Sequence, residues 1–405
     1  MILLRHLRRR WLHVSSVTQS INTDLTKLST QNPVEFAHVT FDDGHESIFP
    51  NSFLRDNCLC PQCFHASSRQ RIVDTMSTAP LDIKAIQTHV EAGDLCMLWE
   101  DGHASTYSAH WLRERDCETP KQNYAQLRLW RGQDFELKVF DFEALMHDDA
   151  HLRAWITDLW TQGLCKVTNV PKAYGQLQRF GARVSPVGLR RTNYGETFHV
   201  SSKVDANNLA YTTRGLDLHT DLCYYKHKPD IQMLHCIEQA DIGGENTFVD
   251  AFQVALDFQR DHPEAFERLT THAFTYNDEG ADAFGPFDIR CERSLIELNH
   301  EGQLQNINFS NFTRDSFLNG TCPKAEVALM DAYFQFSNYV HHPTYRIACR
   351  MEAGDMMCFY NHRILHGREP FVLNNHTSEQ VRRLEGGYLD WDLVYSKLRT
   401  LDREP

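Results

Sequence analysis

Long apolar runs are missing from this sequence of 405 residues, and so are low-complexity tracts. No segment approaches the roughly 18 consecutive apolar residues that span a bilayer, which argues against a membrane as a partner. Positive charge is also in deficit, since 41 Lys and Arg residues face 54 Asp and Glu residues and leave a net charge of −13. This balance argues against nucleic acid as a partner. We therefore expect a globular chain of one large or two moderate domains.

Cysteine is too sparse for a fold built on disulfides, with 12 residues in the whole chain. Apart from one group of three, the cysteines are scattered, and several lie in apolar surroundings, such as Cys165, Cys236 and Cys358. Buried free thiols of this kind are typical of proteins in a reducing compartment.

Acidic residues are absent from the first 23 positions, which contain four arginines, several hydroxyl residues and scattered large apolar residues. This composition is typical of a mitochondrial transit peptide. We therefore interpret residues 1–30 as a basic leader and expect a mitochondrial location. The alternative is a basic disordered tail on a cytoplasmic protein.

Two hairpin signals indicate a small β-rich domain over residues 31–120. Asp43-Gly44 and Asp101-Gly102 each separate two short alternating strands. The segments that follow also resemble each other, since Phe53-Leu54-Arg55-Asp56 and Trp111-Leu112-Arg113-Glu114 occur at the same offset from their turns. We interpret the two hairpins as a pseudo-repeat within one domain.

Three cysteines within six residues lie between these hairpins: Cys58, Cys60 and Cys63. Thiolates at this spacing predict a structural zinc site that needs one more ligand. His103, directly after the second turn, is the first candidate, and His65 and His45 are its competitors. A closed site of this kind would brace the small domain. Unligated thiols and a redox pair are the alternatives.

The polar residues 121–140 suit a linker, and we assign the second domain to residues 141–405. It opens with a predicted helix from Asp141 to about Trp160. Beyond it, helices interrupt many short strands rather than alternating with them. This order favours a mainly β fold with helices, namely a double-stranded β-helix (jelly roll).

A His-x-Asp pair, His219 and Asp221, follows one β-rich run and precedes another. Side chains two positions apart on a strand share a face. With a second histidine they would form a 2-His-1-carboxylate triad, which binds Fe(II) and leaves coordination positions open. The pattern also occurs at three other places: His89/Glu91, His147/Asp149 and His262/Glu264. The last two look helical, so their pairs would not share a face. The alternative is that His219 and Asp221 are surface residues at a turn.

The second histidine is expected after the apolar strand Met356 to Tyr360. His362 and His366 both follow it, and we favour His366 because it lies between an apolar pair and a glycine. His362 is expected to be solvated. Farther on, Arg382 or Arg383 is placed to clamp a carboxylate bidentately, as a 2-oxo acid would need.

Six segments together are far more specific than any one of them: LRDNCLCPQC (54–63), DANNLAYTT (205–213), HTD (219–221), QMLHC (232–236), LHGR (365–368) and LEGGYLDWD (384–392). Over residues 36–399 the chain resembles the γ-butyrobetaine dioxygenase and trimethyllysine dioxygenase family of Fe(II)/2-oxoglutarate hydroxylases. The resemblance implies an N-terminal zinc domain, a double-stranded β-helix catalytic domain and a homodimer.

The resemblance also implies roles for residues at matching positions. It gives Fe(II) the ligands His219, Asp221 and His366, and it gives zinc the ligands Cys58, Cys60, Cys63 and His103. The carboxylate of 2-oxoglutarate falls to Arg382, with Thr247 as a further contact. Ascorbate is an additional cofactor to consider.

The substrates of this family carry a trimethylammonium group, which donates no hydrogen bonds and suits an aromatic cage. The positions similar to the cage are Tyr194, Phe198, Tyr211 and Tyr388. Asn208 and Ser310 correspond to positions that hold the substrate carboxylate. Two residues depart from the family pattern, since Phe198 replaces a tryptophan and Ser310 replaces an asparagine.

The resemblance implies hydroxylation of γ-butyrobetaine to carnitine, a step of carnitine biosynthesis, with succinate and CO2 as co-products. The segments at 205–208 and 385–392 look closer to the γ-butyrobetaine side. The leader favours trimethyllysine, whose enzyme is the mitochondrial member. The alternatives are therefore hydroxylation of trimethyllysine or of another quaternary amine, and, from a different class, a non-catalytic zinc- and metal-binding scaffold.

Overall fold

The computed structural model describes residues 12–13, 34–75, 79–118, 126–201, 213–282, 284–320, 322–372 and 382–401. The chain divides into two units, residues 1–123 and 124–405. Apart from Leu12–His13, the basic leader lies outside the described residues, and so do Asn208 and Tyr211. Among the described residues, no helix is long and apolar enough to cross a membrane.

Two β-hairpins, each followed by a helix of six residues, form the framework of the N-terminal unit. The elements are β1 (Leu12–His13), β2 (Phe36–Phe41), β3 (Glu46–Pro50), α1 (Asn51–Asp56), β4 (Phe64–His65), β5 (Gln70–Arg71), β6 (Ala85–Glu91), β7 (Asp94–Trp99), β8 (Ala104–Ser108) and α2 (Ala109–Glu114). Strands β1, β2 and β3 form one sheet, β6, β7 and β8 form a second, and β4 pairs with β5.

The two halves of this unit are tied by reciprocal ion pairs. Arg55 of the first half pairs with Asp101 in the turn of the second at 2.8 Å, and Arg113 of the second pairs with Asp43 in the turn of the first at 3.2 Å. These two equivalent ion pairs agree with the pseudo-repeat inferred from the sequence. The alternating strands bury one face each, and Trp99 at the centre is fully buried.

The second unit is built from two larger sheets, three strand pairs and seven helices among its described residues. The first sheet has six strands in the order β11-β24-β13-β21-β10-β9, and the second has four in the order β12-β22-β15-β20. Their bounds are β9 (Lys138–Asp141), β10 (Leu164–Thr168), β11 (Thr197–Ser201), β12 (Leu216–His219), β13 (Ile231–Glu238), β15 (Asn246–Asp250), β20 (Arg346–Cys349), β21 (Met356–Tyr360), β22 (Ile364–Arg368) and β24 (Arg383–Leu389).

The remaining elements lie around these sheets. The pairs are β14 (Ile242–Gly243) with β23 (Phe371–Val372), β16 (Ala273–Asp282) with β17 (Gly285–Ser294), and β18 (Ile296–Leu298) with β19 (Leu304–Ile307). The helices are α3 (Phe142–His147), α4 (Asp149–Gln162), α5 (Gln176–Val184), α6 (Ala251–Asp261), α7 (Pro263–Thr271), α8 (Pro323–Val340) and α9 (Trp391–Leu401). Short 3-10 turns occur at Gly132–Asp134 and Pro343–Tyr345.

A buried layer lies between the two large sheets and receives side chains from both. Leu234, Phe359 and Leu384 come from the six-stranded sheet, and Phe248 and Ile364 from the four-stranded sheet. Helices α4, α5 and α9 cover the outer face of the first sheet, and α6, α7 and α8 pack against the outer face of the second. The predicted mainly β double-stranded β-helix with helices is confirmed.

Two expectations for the start of this unit are wrong. Residues 126–140 are not a free linker, because Trp130 is buried, donates its backbone N–H to Asp250 and its indole N–H to Gln162, and β9 is a strand of the large sheet. The predicted helix from Asp141 is two helices, α3 and α4. The Asp148 side chain caps the second one by accepting from the N–H of Ala150.

Candidate active site

Two neighbouring strands of the smaller sheet bring together the imidazoles of His219 and His366. These residues are direct partners in the antiparallel pairing of β12 with β22, and their ring centroids are 4.2 Å apart. The carboxylate of Asp221 completes the group, with its Oδ1 at 3.2 Å from His219 Nε2 and 4.0 Å from His366 Nε2. The three side chains that the sequence predicted as ligands therefore converge on one point.

The backbone at this motif differs from the expected strand. β12 ends at His219, and Asp221 lies in the following loop, where Leu222 has a φ of +59°. Asn361 fixes this loop because its amide oxygen accepts from the Asp221 N–H at 2.8 Å and its amide nitrogen donates to the Asp221 carbonyl at 3.1 Å. Tertiary hydrogen bonds, rather than strand alternation, thus direct the carboxylate toward the imidazoles.

The hydrogen bonds of the triad leave its lone pairs facing each other. His219 Nδ1 donates to the Asp217 carbonyl at 2.8 Å, so the neutral ring presents a lone pair at Nε2. The second carboxylate oxygen of Asp221 accepts from Gln232 Nε2 at 2.7 Å and from the Tyr388 hydroxyl at 2.8 Å, which leaves Oδ1 for the imidazoles. Acceptors converging in this way need a cation between them, and the donor set is that of a facial triad.

The charges of the triad suit a metal. Burial lowers the pKa of His366 to about 3, so its imidazole stays neutral. Burial alone would raise the pKa of Asp221, but the neighbouring imidazoles and the Tyr388 hydroxyl outweigh it and lower that pKa below its usual value. The Asp221 carboxylate and the neutral His366 imidazole, together with His219, are a set of groups that binds a divalent transition metal.

We predict that Gln232→Leu weakens metal binding by about 10- to 100-fold, because the ligating carboxylate loses a donor that orients it. Titration of the metal against activity measures the shift. Gln178→Leu is the matched control, since this glutamine is part of the same unit and its amide contacts Thr197 instead. Equal metal affinities of the Gln232 variant and the unmodified chain would contradict the role of Gln232.

His362, the rejected alternative to His366, is not solvated as expected. It is largely buried, and its Nε2 contacts the Lys228 carbonyl at 3.0 Å. It therefore supports the loop that follows Asp221 and lies outside the triad.

Two buried arginines, Arg382 and Arg368, form a cationic group on the inner side of the two large sheets, where the triad also lies. Arg382 precedes β24, in which Leu384, Gly386 and Tyr388 alternate onto the inner face and Arg383 and Glu385 onto the outer one. Burial, and then the charge of Arg368, lower the pKa of Arg382 to about 10, so the guanidinium remains charged. Among the described residues no salt bridge joins Arg382 to a carboxylate, and its Nε donates to the amide oxygen of Gln239 at 3.0 Å.

The register of β15 with β22 bears on the predicted contact between Thr247 and 2-oxoglutarate. This residue pairs with Gly367, so its side chain projects from the face opposite to that of His366. Its neighbour Asn246 pairs with Arg368 and shares the inner face, and its buried amide oxygen has no hydrogen-bond partner among the described residues. Asn246 is therefore better placed than Thr247 to contact an anion at the arginines. The sequence could not distinguish the two because both belong to a fully buried strand.

Aromatic rings extend from the triad in one direction. Tyr388, whose hydroxyl binds Asp221, stacks on Phe198 with centroids 5.4 Å apart, and Phe198 contacts Tyr194 at 6.2 Å. Gly386 makes this packing possible, because a Cβ at that position would lie 2.0 Å from the Phe198 ring. Three of the four predicted cage residues are thus contiguous, and the fourth, Tyr211, lies outside the described residues.

The two residues predicted to hold a substrate carboxylate have different outcomes. Ser310 is buried, and its hydroxyl accepts from Thr313 at 2.9 Å within its own loop. The same loop carries Phe312, whose ring meets the His219 ring edge-on at 4.9 Å, so Ser310 lies two residues from a side chain that contacts the triad. Asn208 is outside the described residues.

In the N-terminal unit, His103 completes the group of three cysteines. Its Nε2 lies 3.3 Å from Cys58 Sγ, 3.5 Å from Cys60 Sγ and 3.4 Å from Cys63 Sγ. Ligands around a tetrahedral zinc ion would be about 3.6 Å apart for the usual Zn–S and Zn–N distances. Of the competitors, His65 is exposed and contacts Ser68, and His45 contacts Asp116. The four residues therefore form a cluster that could hold a metal.

Sequence reasoning missed four residues that contact the triad or Arg382: Gln232, Asn361, Phe312 and Gln239. For Gln232 a signal existed, because it is one of few polar residues in the apolar run Ile231 to Cys236. A polar residue on the inner face of a buried strand must have a partner there. The other three act across long sequence distances and carry no comparable signal.

Two family models match this chain. The model described as "Taurine catabolism dioxygenase TauD, TfdA family" matches residues 123–388, and the model described as "Gamma-butyrobetaine hydroxylase-like, N-terminal" matches residues 30–113.

The chain is also similar to characterised proteins over nearly its whole length. It is 32% identical to the gamma-butyrobetaine dioxygenase of Homo sapiens over 388 residues, covering 93% of this chain and 97% of that protein. It is 32% identical to the gamma-butyrobetaine dioxygenase of Pseudomonas sp. (strain AK-1) over 376 residues, with coverage of 90% and 93%. The mitochondrial trimethyllysine dioxygenase of Mus musculus is 26% identical over 402 residues, with coverage of 96% and 90%.

Proposed function

Because the chain belongs to the gamma-butyrobetaine dioxygenases within the TauD, TfdA family of dioxygenases, we propose that it hydroxylates γ-butyrobetaine to carnitine. The reaction consumes 2-oxoglutarate and O2 and releases succinate and CO2. The observation that carries this proposal is the convergence of His219, Asp221 and His366 beside a row of aromatic rings. The triad supports oxygenase chemistry, and the rings support a quaternary cation as the substrate.

His219, Asp221 and His366 would hold Fe(II) through Nε2, Oδ1 and Nε2. When bound, iron supplies open positions at which 2-oxoglutarate and O2 are activated for hydroxylation. The protein's contribution is orientation. Gln232 and Tyr388 hold one oxygen of Asp221, and Asp217 fixes the tautomer of His219.

Arg382 would bind the carboxylate of 2-oxoglutarate that lies farther from the iron. Its Nε is held by Gln239, so the rest of the guanidinium fork is oriented before the anion arrives. Arg368 lies beside it, and both guanidinium groups contact the ring of Phe371, at 4.9 and 5.4 Å from its centroid. Two buried cations favour a dicarboxylate co-substrate over a neutral one.

The aromatic row would bind the trimethylammonium group of the substrate. Tyr388 links the two sites, because its hydroxyl is fixed on Asp221 while its ring packs on Phe198. A substrate held at this row would therefore extend toward the metal, and a second contact at its carboxylate end would set which carbon faces the reactive position. Asn208 and Ser310 remain our proposed contacts for the substrate carboxylate.

The test is a comparison of γ-butyrobetaine and trimethyllysine under identical conditions with Fe(II), 2-oxoglutarate and O2. We expect succinate formation matched by carnitine, with a higher kcat/KM for γ-butyrobetaine. Turnover of trimethyllysine alone would overturn this choice and support the second candidate, which the composition of the leader favours. The replacements at Phe198 and Ser310 keep open a third candidate, hydroxylation of another quaternary amine. Absence of any turnover would support a non-catalytic scaffold.

For the N-terminal unit we propose a structural zinc ion bound by Cys58, Cys60, Cys63 and His103. We predict that His103→Ala loses most of its zinc and lowers the melting temperature, because metal binding supplies folding free energy to small domains. Metal analysis and a thermal melt measure both effects. His65→Ala is the matched control, since this exposed histidine lies outside the cluster. Full zinc content in the His103 variant would exclude it as a ligand.

We further propose a mitochondrial location, a homodimer and support of turnover by ascorbate. The first rests on the composition of residues 1–30, and the other two on the resemblance to the family. Fractionation of cells that express the full chain, light scattering of the purified protein and turnover with and without ascorbate test them in turn.

A further inference from the structure

A carboxylate lies behind the aromatic row, on the side away from the metal. Asp278, in the middle of β16, accepts a hydrogen bond from the Tyr194 hydroxyl at 2.7 Å, and the hydroxyl of Tyr224 lies 3.3 Å from that of Tyr194. Asp278 is half-buried, and among the described residues no basic side chain forms a salt bridge with it. The row thus runs from the anionic triad through Tyr388, Phe198 and Tyr194 to a second anion.

The surrounding backbone holds both Tyr194 and Asp278 in place. Tyr194 lies in a tight turn, where its N–H donates to the hydroxyl of Thr192 at 3.2 Å and the backbone N–H of Gly195 donates to the carbonyl of Thr192 at 3.0 Å. The β16–β17 hairpin supplies Asp278 and also Phe287, whose ring meets Tyr194 edge-on at 6.3 Å. Tyr194 is therefore held beside the carboxylate by its own turn and by its contacts with the hairpin.

The tyrosines keep their protons. Burial, with the nearby Asp278 carboxylate adding to it, raises the pKa of both Tyr194 and Tyr224 far above the neutral range. Asp278 is then the anion at this end of the row. A phenol that donates to a carboxylate has a more electron-rich ring, which attracts a cation more strongly, and the carboxylate adds a direct Coulomb attraction in a half-buried site.

We propose that Asp278 determines specificity for a cationic substrate, by favouring the positive charge of the trimethylammonium group over a neutral group of the same shape. This inference rests on the function proposed above, and it applies equally to γ-butyrobetaine and trimethyllysine. Asp278 acts at a distance through Tyr194 and its own charge, so it is a specificity residue and not a catalytic one. If Asp278 had only a structural role, its replacement would weaken the binding of ligands with and without the positive charge equally.

The experiment uses the full chain loaded with Fe(II) and 2-oxoglutarate. Dissociation constants are measured for γ-butyrobetaine and for 5,5-dimethylhexanoate, in which a quaternary carbon replaces the nitrogen. We expect Asp278→Asn to weaken binding of γ-butyrobetaine by about tenfold, while binding of the isostere, which has the same carboxylate but no positive charge, is not weakened. KM for γ-butyrobetaine should rise to the same extent, and kcat should change little. Asp278→Ser is a second neutral variant if the asparagine variant does not fold.

The matched control is Asp288→Asn, which removes the same charge from the same hairpin. Asp288 is exposed on the opposite face and pairs with Arg290 at 2.9 Å, so the preference for the cation should be retained. Equally weakened binding of both ligands in the Asp278 variants, or a fully retained preference for γ-butyrobetaine over its isostere, would overturn the proposal. If the unmodified chain binds trimethylammonium compounds but turns none over, the proposed function fails while this inference stands.

Discussion

Replacement of Asp221 by alanine abolishes turnover, with an expected loss of at least about three orders of magnitude in kcat/KM. The triad has a single anion, and its Oδ1 is the atom that faces both imidazoles, at 3.2 and 4.0 Å. Without it, two neutral nitrogens remain as ligands, and the metal loses both its charge partner and one third of its protein contacts. Metal ions supply several kcal/mol to reactions of this kind, and each 1.4 kcal/mol is about tenfold in rate. Succinate formation is the measurement.

Glu264→Ala is the control for this result, because Glu264 belongs to one of the competing His-x-acid patterns. In the structure His262 precedes helix α7, and Glu264 lies in its first turn, where it is exposed and contacts Arg268 at 3.7 Å. We expect unchanged activity in that variant. An Asp221→Ala variant that retained substantial turnover and bound metal would remove the basis for the triad.

Arg382→Ala should raise the KM for 2-oxoglutarate by about two orders of magnitude and leave metal binding intact. Arg382 is buried on the inner face, and its charge is compensated there by no salt bridge among the described residues. A bound carboxylate would gain a bidentate contact in a desolvated site. Loss of one partner of such a pair costs about 3 kcal/mol, or about a hundredfold in affinity. The KM for 2-oxoglutarate and the affinity for the metal are measured separately.

The adjacent residue provides the matched control. Arg383 projects from the outer face, is exposed and pairs with Glu238 at 3.1 Å. Arg383→Ala should therefore leave the KM for 2-oxoglutarate unchanged. An unchanged KM in the Arg382 variant, or an equal rise in both variants, would exclude the assigned role of Arg382.

Short motifs account for most of the prediction of the two candidate metal-binding clusters. His219 and Asp221 are two residues apart, and three of the four cluster residues lie within six positions, so the local pattern carries most of the information. The prediction of His366 also required that its strand lie beside that of His219. The prediction of His103 required that its turn lie beside the cysteines. The register of β12 with β22 and the short distances from His103 to the cysteines meet these two requirements.

Residues that act through register or through distant hydrogen bonds could not be predicted. Thr247 and Asn246 are neighbours in a fully buried strand, and only the pairing with β22 reveals which one faces inward. Asn361 holds Asp221 from 140 positions away. The segment 126–140 was grouped with the polar residues before it, although seven of its 15 residues are apolar. Trp130 and β9 have their partners elsewhere in the unit, far away in the sequence.

Anomalous scattering from crystals of the iron-loaded protein, recorded at the iron and zinc absorption edges, tests the central claim most directly. We predict one iron peak within bonding distance of His219 Nε2, Asp221 Oδ1 and His366 Nε2. An iron peak bound elsewhere, or imidazoles that turn away from a common ion, would contradict the account.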